Sequence, residues 1–237
     1  MNLISTVKLM PKSVSEKKYK LGEPREILIQ MDDGVELAAD LYGPDKKGAY
    51  PTRIGYEPYR KDDLMKSMYF EEATYFAERG YNTIAMDIRG TGASGGTTDR
   101  MLRKREWKDG YDAINWIADQ EWCDGNTGIA GVSYGGFASN MVSTLNPPSL
   151  KCSIPIYIGY DFYLNNYPGG ILEVPMRIAL YPNNMLTWNG APPRIDKEGR
   201  WERIWKEHMD GNEHWAIPTL TNQLNEKIWT ESSVRHH

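Results

Sequence analysis

"GIAGVSYGGFASN", residues 128–140, decides the fold. An apolar run precedes Ser133, a helix-like run follows it, and Gly131 and Gly135 stand two residues to either side. A short apolar run bounded by turn residues reads as a buried strand. Glycines allow the chain to reverse sharply without side-chain clash. The stretch therefore predicts a strand over 127–132, a tight turn that lifts the Ser133 hydroxyl clear of the backbone, and a helix over 134–145.

The flanking sequence repeats this texture. "TRIGYEP" (52–58), "YNTIAMDIRG" (81–90) and "KCSIPIYI" (151–158) carry short apolar runs of strand length. Between the first two, "KSMYFEEATYFAERG" (66–80) has helical spacing and stops at Gly80. Residues 105–119 set Trp107, Tyr111, Ile114 and Ile117 on one helical face. Strands alternating with helices predict a parallel sheet of 52–57, 81–87, 127–132 and 151–158, covered on both faces. Upstream, "EILIQMDDGVELAADLYGP" (26–44) reads as two strands joined at Asp33-Gly34, a favoured hairpin turn.

The ends differ in character. Residues 1–24 are polar and lysine-rich and read as an arm; 25–160 hold the α/β core. From about residue 160 the text turns rich in Trp, Tyr, Pro and Asn, with no β-branched run of strand length. Residues 161–237 are expected to form an irregular helical cap over the carboxyl edge of the sheet. The aromatics there either line a pocket or simply pack the cap.

Composition narrows the function. With 237 residues, 40 % hydrophobic and 25 % charged, the chain suits one sizeable domain with an appendage. A net charge of −4 without a basic stripe excludes a typical nucleic-acid binder. No apolar run approaches the roughly 20 residues that span a bilayer. The opening "MNLISTVKLMPKSVSEKKYK" has no long apolar core, so no secretory signal is read and a cytoplasmic location is expected. Cys123 and Cys152 form no metal-spaced cluster and are expected to be reduced thiols.

A G-x-S-x-G motif between a strand and a helix is the nucleophile turn of α/β-hydrolases. Ser133 is then the nucleophile. The amide of Tyr134, at the positive end of the following helix, points at the oxyanion of acyl transfer.

Five stretches, that of Ser133 among them, occur in a recognisable order: "MDDGVELAADLYGP" (31–44), "YEPYRKDD" (56–63), "DIRGTGASGG" (87–96), "EWCDGNTGIAGVSYGGFASN" (121–140) and "YDFYLNNYPGG" (160–170). Together they resemble the CocE/NonD serine hydrolases, the cocaine-esterase and X-Pro dipeptidyl-peptidase-like group. The resemblance implies an α/β-hydrolase doubly wound sheet with a helical cap insertion. It also implies that Tyr59 donates its phenolic hydrogen bond to the oxyanion beside the Tyr134 amide. From its residue type alone, Tyr59 also reads as a loop aromatic. Asp87 and Arg89 are expected to hold the glycine-rich loop, Asp124 to make a turn, and Asp161 to anchor the cap.

A serine hydroxyl needs a base, and in this architecture the order is Ser, then Asp or Glu, then His, each after its own core strand. The histidines are His208, His214, His236 and His237, and none follows a strand-like run. Asp196 with His208 has the right order but not the right setting. The resemblance implies a longer protein, so the sheet is expected to be incomplete here and the triad acid and base to be missing. The expected function is hydrolysis of ester or amide bonds in a small molecule or short peptide, with no metal or organic cofactor. The alternatives are an X-Pro dipeptidyl aminopeptidase, for which Asp161 and Glu173 are candidate amine-binding carboxylates, and a non-catalytic binding or scaffold domain. Oligomeric state is not readable.

Overall fold

The computed structural model describes residues 15–224 and 226–237. Six strands form one sheet: β1 (Arg25–Gln30), β2 (Glu36–Tyr42), β3 (Tyr50–Glu57), β4 (Asn82–Asp87), β5 (Cys123–Val132) and β6 (Leu150–Ile156). Their spatial order is β1-β2-β4-β3-β5-β6. β1 and β2 form the expected hairpin, with Asp33 and Gly34 in the turn, and β2 runs antiparallel to β4. β3, β4, β5 and β6 are mutually parallel, as the strand–helix alternation requires.

Three helices connect the parallel strands: α1 (Lys66–Ala77), α2 (Lys104–Ala118) and α3 (Tyr134–Thr144). Side-chain alternation sorts them onto two faces. Ile54, Tyr56, Ile84, Met86 and Ile129 point to the face where Trp107, Ile114 and Ile117 of α2 and Met141 and Val142 of α3 close the main core. Ala85 points the other way, where Tyr69 and Ala73 of α1 pack with Tyr42. Gly55 is small because the Tyr69 ring crosses it; a Cβ there would lie 2.6 Å from the ring edge. The sheet is therefore covered on both faces, the doubly wound arrangement.

Coverage by α1 stops short of β6. Val132, Ile154 and Ile156 stay 47 %, 53 % and 48 % exposed on that face. With Cys152, Phe76 and Tyr81 they line an apolar groove of about 350 Å³.

Several boundaries differ from the sequence expectation: β5 begins four residues early, at Cys123, and β3 two residues early, at Tyr50. β6 ends at Ile156, because Tyr157 takes a left-handed φ of 59° and breaks the strand. The helix expected over 66–80 ends at Ala77, and Gly80 supplies its positive φ three residues later. Of the arm, residues 1–14 lie outside the described residues. Residues 15–24 run along the surface, with the Lys18 and Tyr19 amides donating to the Glu78 carbonyl.

The described residues of 161–237 form helices and irregular connections, with no strand among them: α4 (Phe162–Asn166), a π-helical segment Pro175–Leu180, α5 (Tyr181–Gly190), α6 (Arg200–Gly211), α7 (Ala216–Thr221), α8 (Lys227–Glu231) and short 3-10 turns. Their aromatics reach the core directly. Phe162 meets Phe137 of α3 edge-on, and Trp215 stacks on Tyr134.

Candidate active site

The turn between β5 and α3 is tightly constrained. Ser133 sits at φ 57°, ψ −116°, a conformation that a side-chain-bearing residue keeps only when its surroundings enforce it. Here the Ser133 amide donates to the Ile156 carbonyl at 3.0 Å, and its carbonyl accepts from the Phe137 amide at 3.0 Å. The flanking glycines are dictated by contact. A Cβ on Gly131 would lie 2.4 Å from the Gly135 carbonyl carbon, and one on Gly135 would lie 2.7 Å from Glu57 Oε2. Ser133 itself is half-buried.

Tyr59 lies just beyond the carboxyl end of β3. Its hydroxyl accepts from the Tyr134 amide at 3.4 Å and from the Tyr181 hydroxyl at 3.3 Å. Two accepted bonds leave its own proton free to donate. The ring is held edge-on by Tyr134, Tyr181 and Trp188 at centroid distances of 6.2–6.4 Å. Next in sequence, Arg60 has a left-handed φ of 63° and is buried. Its guanidinium donates to the carbonyls of Trp188, Ala191 and Pro192 at 2.7–2.8 Å and pairs with Asp63. This arginine fastens the α5 end of the cap to the core beside Tyr59.

The structure thus brings Ser133, the Tyr134 amide and the Tyr59 hydroxyl to one end of the sheet. The Tyr134 side chain points inward instead. Its hydroxyl donates to Glu106 Oε2 at 2.7 Å and accepts from the Leu102 amide at 2.9 Å, and burial pushes its pKa well up.

Two buried carboxyls support this end of the sheet. Glu57 accepts from the Tyr69 hydroxyl at 2.6 Å, and burial pushes its pKa up to about 7. Asp87 accepts from the Lys61 and Ala93 amides, at 2.8 and 2.9 Å, and so ties the glycine-rich loop to the segment after Tyr59. Burial raises it to about 7 against the opposing charge of Lys61. Arg89 makes a two-pronged pair with Asp109 and reaches Asp33. Asp124 accepts from the Asn126 amide in a turn. Asp161 caps α4 through the Leu164 amide and pairs with Arg235 at 2.7 Å.

The four histidines are all engaged elsewhere. His208 is buried with Nε2 2.8 Å from the Ser94 carbonyl, and burial lowers its pKa. His214 contacts Asn183 and the Ala216 amide. His236 accepts from Arg235, and His237 packs edge-on against Trp107. Asp196 accepts from the Arg200 and Trp201 amides at the start of α6, so it does not orient His208. Ser133 makes no side-chain capping bond to α3.

Sequence reasoning missed Glu57, Tyr181, Trp188 and Arg60. Only Glu57 left a signal, a carboxylate directly after the run Ile54-Gly55-Tyr56. Among the described residues no group of three or more His, Cys, Asp and Glu is placed to hold a metal. Cys123 is buried and Cys152 exposed, and both are free. No described helix is long and apolar enough to cross a membrane.

Known proteins resemble this chain in sequence and in fold. The cocaine esterase of Rhodococcus sp. (strain MB1 Bresler) is 35 % identical over 151 residues, covering 62 % of this chain and 26 % of the esterase. The chain thus spans about a quarter of the length of that relative. A crystal structure of a CocE/NonD family hydrolase from Staphylococcus aureus superposes with a TM-score of 0.71 at 24 % identity, over 89 % of this chain and 38 % of that one. An aminopeptidase from a marine sediment Thaumarchaeota archaeon superposes with a TM-score of 0.64 at 20 % identity, over 99 % and 43 %. These two likenesses establish the α/β-hydrolase fold. Residues 33–237, from the hairpin turn through the strained serine to the last described residue, match the X-Pro dipeptidyl-peptidase (S15) family, and the chain belongs to that family.

Proposed function

We propose that this chain carries the nucleophile and oxyanion-binding half of a serine hydrolase acting on ester or amide bonds. One observation carries the reading: Ser133 is held at a strained strand-to-helix turn while the Tyr59 hydroxyl and the next amide converge 3.4 Å apart beside it. Ser133 Oγ attacks the substrate carbonyl carbon and gives its proton to a base. The carbonyl oxygen takes the negative charge and is held by the Tyr59 hydroxyl and by the Tyr134 amide, which exchanges its 3.4 Å bond to Tyr59 for one to the oxyanion. Collapse expels the leaving group, which takes a proton, and water then hydrolyses the acyl-serine. A preoriented donor of this kind lowers the barrier by roughly 3 kcal/mol.

The base is not assigned to any of the four histidines: three have a ring nitrogen bonded to other groups, the fourth packs on Trp107, and none has a hydrogen bond to Ser133. A polypeptide outside the described contacts of Ser133 is required to supply it. The 237-residue chain alone is therefore expected to turn over esters poorly, since loss of a base costs about 10⁶ in turnover in a triad protease.

An X-Pro dipeptidyl aminopeptidase needs an anionic site for the peptide amine. Asp161 is already paired with Arg235, and Glu173 accepts from the Met176 amide, so neither carboxylate favours that reading.

The test is a chromogenic ester assay together with fluorophosphonate labelling of the purified chain, beside its Ser133→Ala control. Slow turnover or labelling that vanishes in the control supports the reading. No Ser133-dependent reaction at all, even in a longer parent protein, favours a scaffold role instead.

A further inference from the structure

Arg177 lies in the π-helical segment Pro175–Leu180, four residues before Tyr181. On a helix that spacing puts two side chains on the same face. The Tyr181 hydroxyl is bonded to the Tyr59 hydroxyl, so this face of the cap looks onto the tyrosine beside the Tyr134 amide. Arg177 is half-buried, and its Nε is buried with no hydrogen-bond partner among the described residues.

Three other arginines, Arg53, Arg79 and Arg200, also hold an unsatisfied buried nitrogen. Each of those is ion-paired, with Glu72, Glu78 and Glu36 respectively. Arg177 alone of the four has no carboxylate partner among the described residues. Glu173, one turn away, accepts the Met176 amide on both oxygens, at 3.1 and 3.3 Å, and its charge acts on Arg177 without an ion pair between them. Burial weakens the proton affinity of Arg177, yet a guanidinium stays charged at any ordinary pH. A partly buried cation with no carboxylate in contact is costly and is relieved when an anion pairs with it directly. The planar fork of a guanidinium matches a carboxylate with two parallel bonds.

We propose that Arg177 is a specificity-determining residue that binds a carboxylate on the acyl or leaving group of the substrate. The substrate class is then an ester or amide that carries a free carboxylate one short chain away from the scissile carbonyl. This inference rests on the hydrolase reading of the Ser133 site, and it runs opposite to recognition of a peptide amine.

The test measures binding without turnover. The full chain carrying Ser133→Ala is titrated with monoethyl succinate and with diethyl succinate, by calorimetry or ligand-observed NMR. The monoester is expected to bind roughly tenfold or more tightly, as a charge-assisted bond provides. The preference should shrink at high salt. Adding Arg177→Gln should remove the preference while leaving diester binding unchanged, and Arg177→Lys should keep part of it. Equal binding of the two esters, no binding of either, a preference that survives Arg177→Gln, or loss of both ligands together would each overturn the proposal. Failure of the hydrolase reading appears separately, as absence of Ser133-dependent labelling, because the charge preference does not require the serine to react.

Discussion

The hydroxyl of Tyr181 in the cap donates to the hydroxyl of Tyr59 at the end of β3, 3.3 Å away. A residue of the cap thereby sets the orientation of a core residue. With the Tyr134 amide as second donor, both acceptor positions of the Tyr59 oxygen are occupied. The remaining proton has one direction left, outward, and a hydroxyl that accepts bonds is itself a stronger donor.

This relationship grades two substitutions. Tyr59→Phe removes the donor and should lower Ser133-dependent labelling or turnover by about 10² or more. Tyr181→Phe removes only the orienting bond and should lower it by roughly tenfold or less. Rates measured on the two variants and the double variant check this. A double variant no worse than Tyr59→Phe is the expected result, since Tyr181 acts through Tyr59. Independent, multiplying losses would show that Tyr181 acts on substrate by another route.

The strain at Ser133 makes a second prediction. At φ 57° and ψ −116° the serine Cβ is costly, by about 1–3 kcal/mol. Ser133→Gly should therefore raise the melting temperature while abolishing any labelling. Ser133→Ala, which keeps the Cβ, should leave stability near that of the parent. Gly131→Ala should do the reverse and destabilise strongly, because its Cβ would meet the Gly135 backbone at 2.4 Å. Thermal melts of the three variants are the measurement. A glycine variant that melts lower than the parent would mean that the hydroxyl stabilises the turn more than the backbone strains it.

The parts that the sequence makes plain are those with local causes. The β5 turn and α3 were readable because an apolar run, two glycines and a serine sit within a dozen residues, and the alternation of strands and helices then dictated a parallel sheet. Tyr59 could be placed only through resemblance, since nothing in "YEPYRKDD" itself distinguishes an oxyanion donor from a loop aromatic. Tyr181, Trp188 and Arg60 were unreadable. Their roles come from contacts between the end of β3 and the cap, more than 120 residues apart. The end of β6 was misjudged by two residues because "IYI" continues the apolar run, whereas the backbone at Tyr157 turns to positive φ.

The uncovered face of β6 gives a third prediction. Ile154 and Ile156 project from an edge strand and are about half exposed, beside a groove lined by Val132, Phe76 and Tyr81. Exposed apolar side chains on an open edge invite association between sheets. Ile154→Lys should reduce self-association without loss of folding, since this side chain is 53 % exposed. Light scattering and size-exclusion at several concentrations read this directly. Unchanged association would locate the sticky surface elsewhere, for instance at Ile171, which is 76 % exposed in the cap.

The last prediction concerns pH and Glu57. Burial raises its carboxyl from the ordinary 4.5 to about 7, with the Tyr69 hydroxyl pulling the other way. Its folded pKa is thus above its unfolded one, so between these values the folded state binds more protons than the unfolded state. Stability from this group is full below about pH 4.5 and is lost as pH rises through about 7. The size of the effect is of order 3 kcal/mol. Asp87, raised to about 7 by burial, acts in the same direction. His208 opposes both. Burial holds its pKa below the ordinary 6.5, so it favours the folded state more as pH rises toward that value. Because these contributions overlap, a single melting curve against pH does not isolate Glu57; the difference between parent and Glu57→Gln does. The glutamine keeps an acceptor for the Tyr69 hydroxyl, whose bond is 2.6 Å long. The variant should gain stability relative to the parent steadily as pH rises from 5 to about 7, and the gain should level off above the raised pKa of about 7. A difference that stays flat across that range would mean that Glu57 is ionised in the fold throughout, held charged by the amide end of α3 above it.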